Sequence, residues 1–236
     1  MQTKRYFLVL FLTLLLAACG GEQAAVEEAA PAGEVGGAET AVPAEAPAPG
    51  VPNSDSAGSP QTYTIIQDES EVRFTLGEEL RGNPTTVVGR SNQISGSVGL
   101  DLSQPAAAQI SPIVIDAASL ATDENMRNRA IGRFILVTGS YPEITFTPTG
   151  LTGLPDSVTI GEPISFDISG DLAITNVTLP VVFTATVTAV SDTRLEGHAE
   201  TTIQRADYNL VIPSVPAVAN VAEAILLEID FVAEAN

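Results

Sequence analysis

The 236-residue chain has no tryptophan, one cysteine and one histidine. A single cysteine cannot close an internal disulfide, and it excludes any multi-cysteine zinc or iron–sulfur site. A single histidine leaves a Ser-His-Asp triad and His-rich metal sites without material. Serines and aspartates are plentiful, but no base is on hand to activate a serine. Cations are also scarce, with 10 Lys and Arg against 29 Asp and Glu, a formal charge of −19. Nucleic-acid binding needs clustered cations facing phosphates, so that partner is excluded. No phosphate-cradling glycine loop and no nucleophile elbow occurs. These absences point to a binding protein and not an enzyme, with no catalytic residue, no metal and no resident cofactor assigned.

Long apolar runs are few, and the clearest lies at the N-terminus. Lys4 and Arg5 precede an apolar stretch from Tyr6 to Leu16, interrupted only by Thr13. It is shorter than the roughly 20 residues a membrane span needs, and it fits the central region of an export signal. Leu16-Ala17-Ala18-Cys19 follows. Small residues before a cysteine resemble the lipobox of bacterial lipoproteins, in which the cysteine is diacylated and becomes the mature N-terminus. The plainer alternatives are an ordinary signal peptide with an incidental cysteine, or a short membrane anchor. Cys19 is thus the expected lipid attachment site and residues 1–18 the expected signal peptide. More than one acyl chain gives stable membrane anchoring where one would be marginal. Gly20, in place of an aspartate, resembles the pattern passed on to an outer membrane where the host has one. The mature chain would carry eight arginines, no lysine and 29 acids, a charge of −21. The acyl group, not charge, must then hold it to anionic lipid.

Residues 19–61 are mainly Ala, Glu, Pro and Gly. Six prolines interrupt any helix, and seven acids face no base. Such a segment cannot bury enough apolar surface to offset its ordering entropy, and it is expected to be a disordered tether. A flexible coil of that length reaches roughly 35 Å.

From Thr62 to Asn236 a period of two dominates. Val72, Phe74 and Leu76 alternate with polar residues, as do Ile164, Phe166 and Ile168, then Phe183 with its neighbours, then Leu227, Ile229 and Phe231. This is the pattern of half-buried antiparallel strands. Further strands are expected near residues 63–67, 87–102, 110–117, 144–149, 157–160 and 194–205, with turns at Gly82-Asn83-Pro84 and from Gly150 to Asp156. Many strands with short connections indicate a sandwich or a barrel, and strands longer than ten residues favour a curved barrel. The spacing of Met126, Ala130 and Phe134 predicts one helix from Thr122 to about Val137, capped by Thr122 or Asp123 and broken near Gly132.

Four segments in order carry a family resemblance. Asp116-Ala117-Ala118-Ser119-Leu120, Ser140-Tyr141-Pro142-Glu143-Ile144-Thr145-Phe146, Gly170-Asp171-Leu172-Ala173-Ile174-Thr175-Asn176-Val177-Thr178-Leu179-Pro180-Val181 and Thr201-Thr202-Ile203-Gln204-Arg205-Ala206-Asp207-Tyr208 resemble motifs of the YceI-like, polyisoprenoid-binding domain. The resemblance implies an all-β fold: an extended, lipocalin-like antiparallel barrel of about eight strands with one helix, enclosing a tunnel for a polyprenyl lipid or an isoprenoid quinone. It implies export, no defining catalytic activity, and it allows a homodimer. Two departures stand out. Ala130 and Thr175 occupy positions where the family often has histidine, which leaves the polar end of any ligand in question.

The inward-facing set (Val72, Phe74, Leu76, Ile144, Phe146, Phe166, Ile168, Phe183, Leu227, Ile229 and Phe231) admits two readings, a solid core or the lining of a ligand tunnel. Periodicity alone does not separate them, because a small barrel either fills itself with side chains or holds one ligand. Arg127, Arg129 and Arg133 admit two as well: local charge balance, or contact with a ligand headgroup, for which guanidinium is well suited. Arg127 matches the arginine of the family's helix motif. His198 is expected at the surface or a sheet edge. The functional expectation is a lipid-anchored extracytoplasmic carrier of a polyisoprenoid or quinone; its rival is a ligand-free structural or protein-interaction domain with a packed interior.

Overall fold

The computed structural model describes residues 60–235. The export signal, Cys19 and nearly all of the tether lie outside these residues. The strands are β1 (Gln61–Ile65), β2 (Glu71–Leu80), β3 (Asn83–Ser91), β4 (Ile94–Ser95), β5 (Ser97–Leu100), β6 (Gln109–Ile110), β7 (Ile113–Asp116), β8 (Glu143–Thr152), β9 (Pro163–Ile174), β10 (Val177–Ala189), β11 (Arg194–Gln204), β12 (Val218–Ala219) and β13 (Ala224–Ala235). All join one antiparallel sheet in the order β4-β7-β8-β9-β10-β11-β13-β1-β5-β6, with β2 also on β13 and β3 on β2. The sheet curls, and Arg90 on β3 exchanges backbone hydrogen bonds of 2.8 and 3.0 Å with Ala121, tying that edge to the segment beyond β7. The all-β, barrel-like architecture is the expected one. Every ladder and both apolar core clusters are drawn from residues 61–235, so this part carries its own core.

Thirteen strands stand where about eight are expected, because long strands are interrupted. The expected strand 87–102 divides into β3, β4 and β5. Gly96 marks one break, where a Cβ would lie 2.4 Å from Ile113 Cδ1. The expected strand 110–117 divides at Ser111-Pro112, because proline has no N–H for the ladder. Residues 157–160 form no strand; Val158 makes a single backbone bond to Leu102, 2.8 Å, and packs against the smaller core cluster. The first hairpin turns one residue earlier than expected. Arg81 and Gly82 have φ of 53° and 81°, the left-handed pair that a two-residue hairpin favours, and Pro84 falls within β3. Likewise Gly150 lies inside β8 and not in a turn.

The helix is shorter than expected and changes pitch. Residues Asn125–Ala130 form α1, and Ile131–Ile135 continue as a wider turn in which Leu136 N–H donates to Ile131 O at 2.8 Å. The cap is neither Thr122 nor Asp123. Glu124 takes the role, its carboxylate accepting from Met126 N–H at 3.0 Å. The longer side chain reaches back over the first turn, while Thr122 and Asp123 are turned toward Asn128 and Arg127.

Candidate functional site

Side-chain alternation sends one face of every long strand into the lumen. Three inward-facing glycines shape that face. A Cβ on Gly89 would lie 2.0 Å from the Phe74 ring, on Gly170 2.5 Å from Phe146, and on Gly197 2.6 Å from Phe231. Each ring thus lies against a neighbouring strand's bare backbone instead of projecting toward the barrel axis. This is why a lumen lined by phenylalanines is not filled by them.

Two apolar cavities result. The larger, about 170 Å³, lies between β2, β8, β13, α1 and residues 205–221. The smaller, about 100 Å³, lies beyond it, and every residue that lines it is apolar. Ile113, Phe146, Phe183 and Ile229 border both cavities and form a waist. Across it the Phe146 and Phe183 rings are tilted by 60° with centroids 4.9 Å apart.

All eleven residues picked out by periodicity line these cavities. Val72, Phe74, Leu76, Ile144 and Leu227 face the larger, Phe166, Ile168 and Phe231 the smaller, and Phe146, Phe183 and Ile229 both. Eight of the eleven keep accessible surface although they point inward; only Val72, Phe146 and Phe183 are buried. A solid core would leave no such surface.

The three arginines are not brought together. Arg127 borders the larger cavity, where its Nη2 donates to Glu78 Oε1 at 2.8 Å and its Nη1 to Asp123 Oδ1 at 2.7 Å. Arg129 and Arg133 point to solvent and line neither cavity, because they fall on the helix face turned away from the sheet. Arg129 donates to the Asn125 carbonyl at 3.4 Å, and Arg133 lies over the Phe134 ring at 5.7 Å. Neither Ala130 nor Thr175 reaches a cavity. Thr175 sits in the two-residue turn between β9 and β10 with φ of 54°.

Besides Arg127, four charged residues border the larger cavity: Arg73 and Glu228, which pair with each other, and two more that escaped sequence reading. Glu78 is one; it follows Val72, Phe74 and Leu76 at period two, which was the available signal for its inward direction. Its side chain is 7% exposed and that of Arg127 is 18%. Arg205 is the other. It donates to the carbonyls of Leu210 and Ala222 and pairs with Glu223, pinning the loop that follows β11. Sequence carried no hint of this, since the partners are 5 to 18 residues away in an irregular loop. Charge therefore borders only the larger cavity, with the Glu78–Arg127 ion pair among it, and the smaller cavity across the waist is wholly apolar.

Tyr208 is buried among this core with its hydroxyl unpartnered. Burial, then Asp207, push its pKa up. A buried hydroxyl without a partner is destabilising. Tyr208→Phe is expected to raise the unfolding free energy by about 1 kcal/mol, read as a higher urea midpoint at unchanged m-value.

His198 lies on the outer face of β11 in a central strand and not at an edge. Its Nδ1 meets Asp230 Oδ1 at 2.7 Å and its Nε2 lies 3.6 Å from Glu200. Arg73 pairs with Asp230, Glu228 and Glu71, and Arg90 with Glu71, so a charge ladder crosses four strands on the outside. His198, Glu200 and Glu228 are the grouping with metal-ligand spacing among the described residues, their ligand atoms lying within 4.8 Å of one another. Arg73 already claims Glu228, which also borders the larger cavity, while His198 and Glu200 line neither cavity. The hydrogen bond to Asp230, opposed by partial burial and aided by Glu200, raises the His198 pKa above 6.5. The charged imidazole is therefore favoured by folding. Its contribution is complete below the unfolded pKa and is lost as pH rises through the folded one. The one imidazole signal in a proton NMR titration is expected to titrate above 6.5, and His198→Gln is expected to remove that segment of the stability–pH curve.

The YceI-like domain family matches residues 63–233. The chain belongs to that family. Among solved structures, a polyisoprenoid binding domain from Saccharophagus degradans, implicated in plant cell wall breakdown, is 19% identical over 75% of this chain and 99% of its own, with a TM-score of 0.61. BcnA of Burkholderia cenocepacia is 19% identical over 71% and 98%, with a TM-score of 0.56. The Campylobacter jejuni YCEI protein is 18% identical over 63% and 84%, with a TM-score of 0.52. These likenesses establish the fold. A search of curated proteins finds no match.

Proposed function

We infer that this protein is an exported carrier that holds one long apolar chain, a polyisoprenoid or an isoprenoid quinone, across both cavities. The observation that carries the reading is a pair of apolar cavities that share four lining residues, with charge bordering only the larger. The polyisoprenoid-binding relative of the same fold supports it. Burial of the chain supplies the affinity, at roughly 25 cal/mol per Å² of apolar surface. The Glu78–Arg127 end orients the ligand, with its polar head there and its tail beyond Phe146 and Phe183. The reading assigns binding and no turnover.

In this reading residues 1–18 are removed on export, and Cys19 carries the acyl anchor. Residues 19–61 tether the barrel to the outer side of a bacterial membrane, the outer membrane where the host has one. The reach of the tether lets the barrel meet a membrane or partner while staying local.

Native mass spectrometry of residues 20–236 purified without detergent, with extraction and mass analysis of bound lipid, tests the reading. A stoichiometric isoprenoid is the expected result, and the same spectrum reads whether the barrel is a homodimer. A chain that stays bare after incubation with quinones and polyprenols refutes it and favours the structural domain. Unchanged occupancy in Arg127→Ala would remove Arg127 from the headgroup contact.

A further inference from the structure

The carrier reading leaves open how a water-insoluble chain reaches the lumen. Three segments surround the charged end of the larger cavity: residues 122–137 around α1, the 205–221 loop, and the β2–β3 hairpin. Arg127 and Ile131 line the cavity from the first, and Leu210 and Ile212 from the second. The hairpin is joined to the loop by Arg81 N–H donating to Ala217 O at 2.8 Å.

The outward residues of these segments are unusual for a domain so acidic. Eight large apolar side chains are exposed among the described residues, and five stand here: Met126 (74%), Phe134 (60%), Val137 (38%), Val211 (71%) and Val215 (44%). The arginines sort the same way. Arg73, Arg90, Arg127, Arg194 and Arg205 each pair with a carboxylate. Arg81, Arg129 and Arg133 form no such pair among the described residues, and all three lie on this rim. The rim's own acids are mostly engaged, Asp123 by Arg127, Glu124 by the helix N-terminus, Glu223 by Arg205 and Glu79 by Asn220; Asp207 is the exception.

We propose that this rim is a membrane-docking surface, which sets the charged end of the lumen against a phospholipid bilayer so that the ligand passes between bilayer and barrel without crossing water. The proposal rests on the carrier reading for its purpose, though not for its geometry. Met126 and Phe134 enter the interfacial layer, as exposed apolar side chains on peripheral proteins do. Arg129 and Arg133 extend from the same helix face to lipid phosphates, and Arg81 does so from the hairpin. The net negative charge of the domain does not prevent this, because at physiological salt its field decays within about 8 Å while the rim is in contact.

Flotation of residues 20–236 with vesicles tests the proposal. This chain keeps the whole described core and lacks Cys19. Vesicles of phosphatidylcholine alone, and of phosphatidylcholine mixed with phosphatidylglycerol, are used in parallel. The chain is expected to float with both and more strongly with the anionic mixture. Met126→Ser/Phe134→Ser is expected to weaken binding at least tenfold with both compositions. Arg129→Gln/Arg133→Gln is expected to lose about thirty-fold with the anionic mixture and to erase the preference for it. All four positions are exposed, so unchanged thermal midpoints will establish that the variants fold. No flotation of the parent chain, or equal flotation of all variants, overturns the proposal; a rim that docks a protein would behave in that way. Lipid extracted from the same preparations separates the two ideas. A chain that carries isoprenoid and ignores vesicles refutes docking alone, and a chain that floats and carries nothing refutes the carrier reading alone.

Discussion

Glu78→Ala is expected to lower the unfolding free energy by about 3 kcal/mol, the lower end for breaking a buried ion pair. Glu78 points into the lumen from β2, its side chain is 7% exposed, and it accepts from Arg127 at 2.8 Å. Removing it leaves a guanidinium that is 18% exposed beside an apolar cavity, with the solvent-side Asp123 and a long hydrogen bond to Thr122 Oγ1 to compensate. A pair on open surface would cost less than about 1 kcal/mol, so the size of the loss distinguishes the two situations. Replacing both partners, as Glu78→Leu/Arg127→Leu, is expected to recover most of the loss, because two apolar side chains leave no orphaned charge. Urea unfolding of the two singles and the double gives the coupling directly. The double variant also tests the site, since it is expected to keep an apolar chain bound while removing the contact that orients its head.

Gly170→Ala is the second large effect, a loss of about 3 kcal/mol, near the upper end for overpacking. The added Cβ would lie 2.5 Å from Phe146 Cε2 and 2.6 Å from the carbonyl oxygen of Thr147. Displacing the ring crowds Phe183, whose centroid is 4.9 Å away, or fills cavity space at the waist, and the carbonyl belongs to a paired strand and cannot move cheaply. Gly89→Ala makes a useful contrast. Its nearest neighbours are all atoms of the Phe74 ring, 2.0 to 2.8 Å away, at the far end of a rotatable side chain. That ring can swing into the larger cavity, so the expected cost is smaller, about 1 kcal/mol, with space lost from the cavity. Equal losses from the two substitutions would contradict this account. Occupancy by an isoprenoid, measured in both, is expected to fall in each.

The helix and the two arginine positions show where sequence reasoning reached its limit. A recurrence of Met126, Ala130 and Phe134 correctly announces a helix, yet the structure leaves Met126 and Phe134 exposed and buries Ile131 and Leu136 instead. The inward face is carried by Arg127, Ile131 and Ile135, which recur at the same spacing one position further on, so spacing alone announces the helix without saying which face is buried. For the same reason Arg127, Arg129 and Arg133 look equivalent in the chain, while only Arg127 borders the lumen. The strand breaks at Gly96 and Pro112 and the bound loop 205–221 were equally out of reach. They depend on partners in other strands, and no local pattern records those.

By itself, the sequence determined the class of fold, the family, and which eleven apolar side chains face inward. Each of these follows from local rules: period-two alternation, turn chemistry, and motifs read in order. Only the tertiary structure decided whether the inward face encloses space. That depends on where rings come to rest across strands, and here Gly89, Gly170 and Gly197 let three phenylalanines lie against the wall. It also decided which charges meet the lumen and which are left free on its rim, because pairing between residues such as Glu78 and Arg127, 49 positions apart, is settled by the curl of the sheet and not by the chain between them.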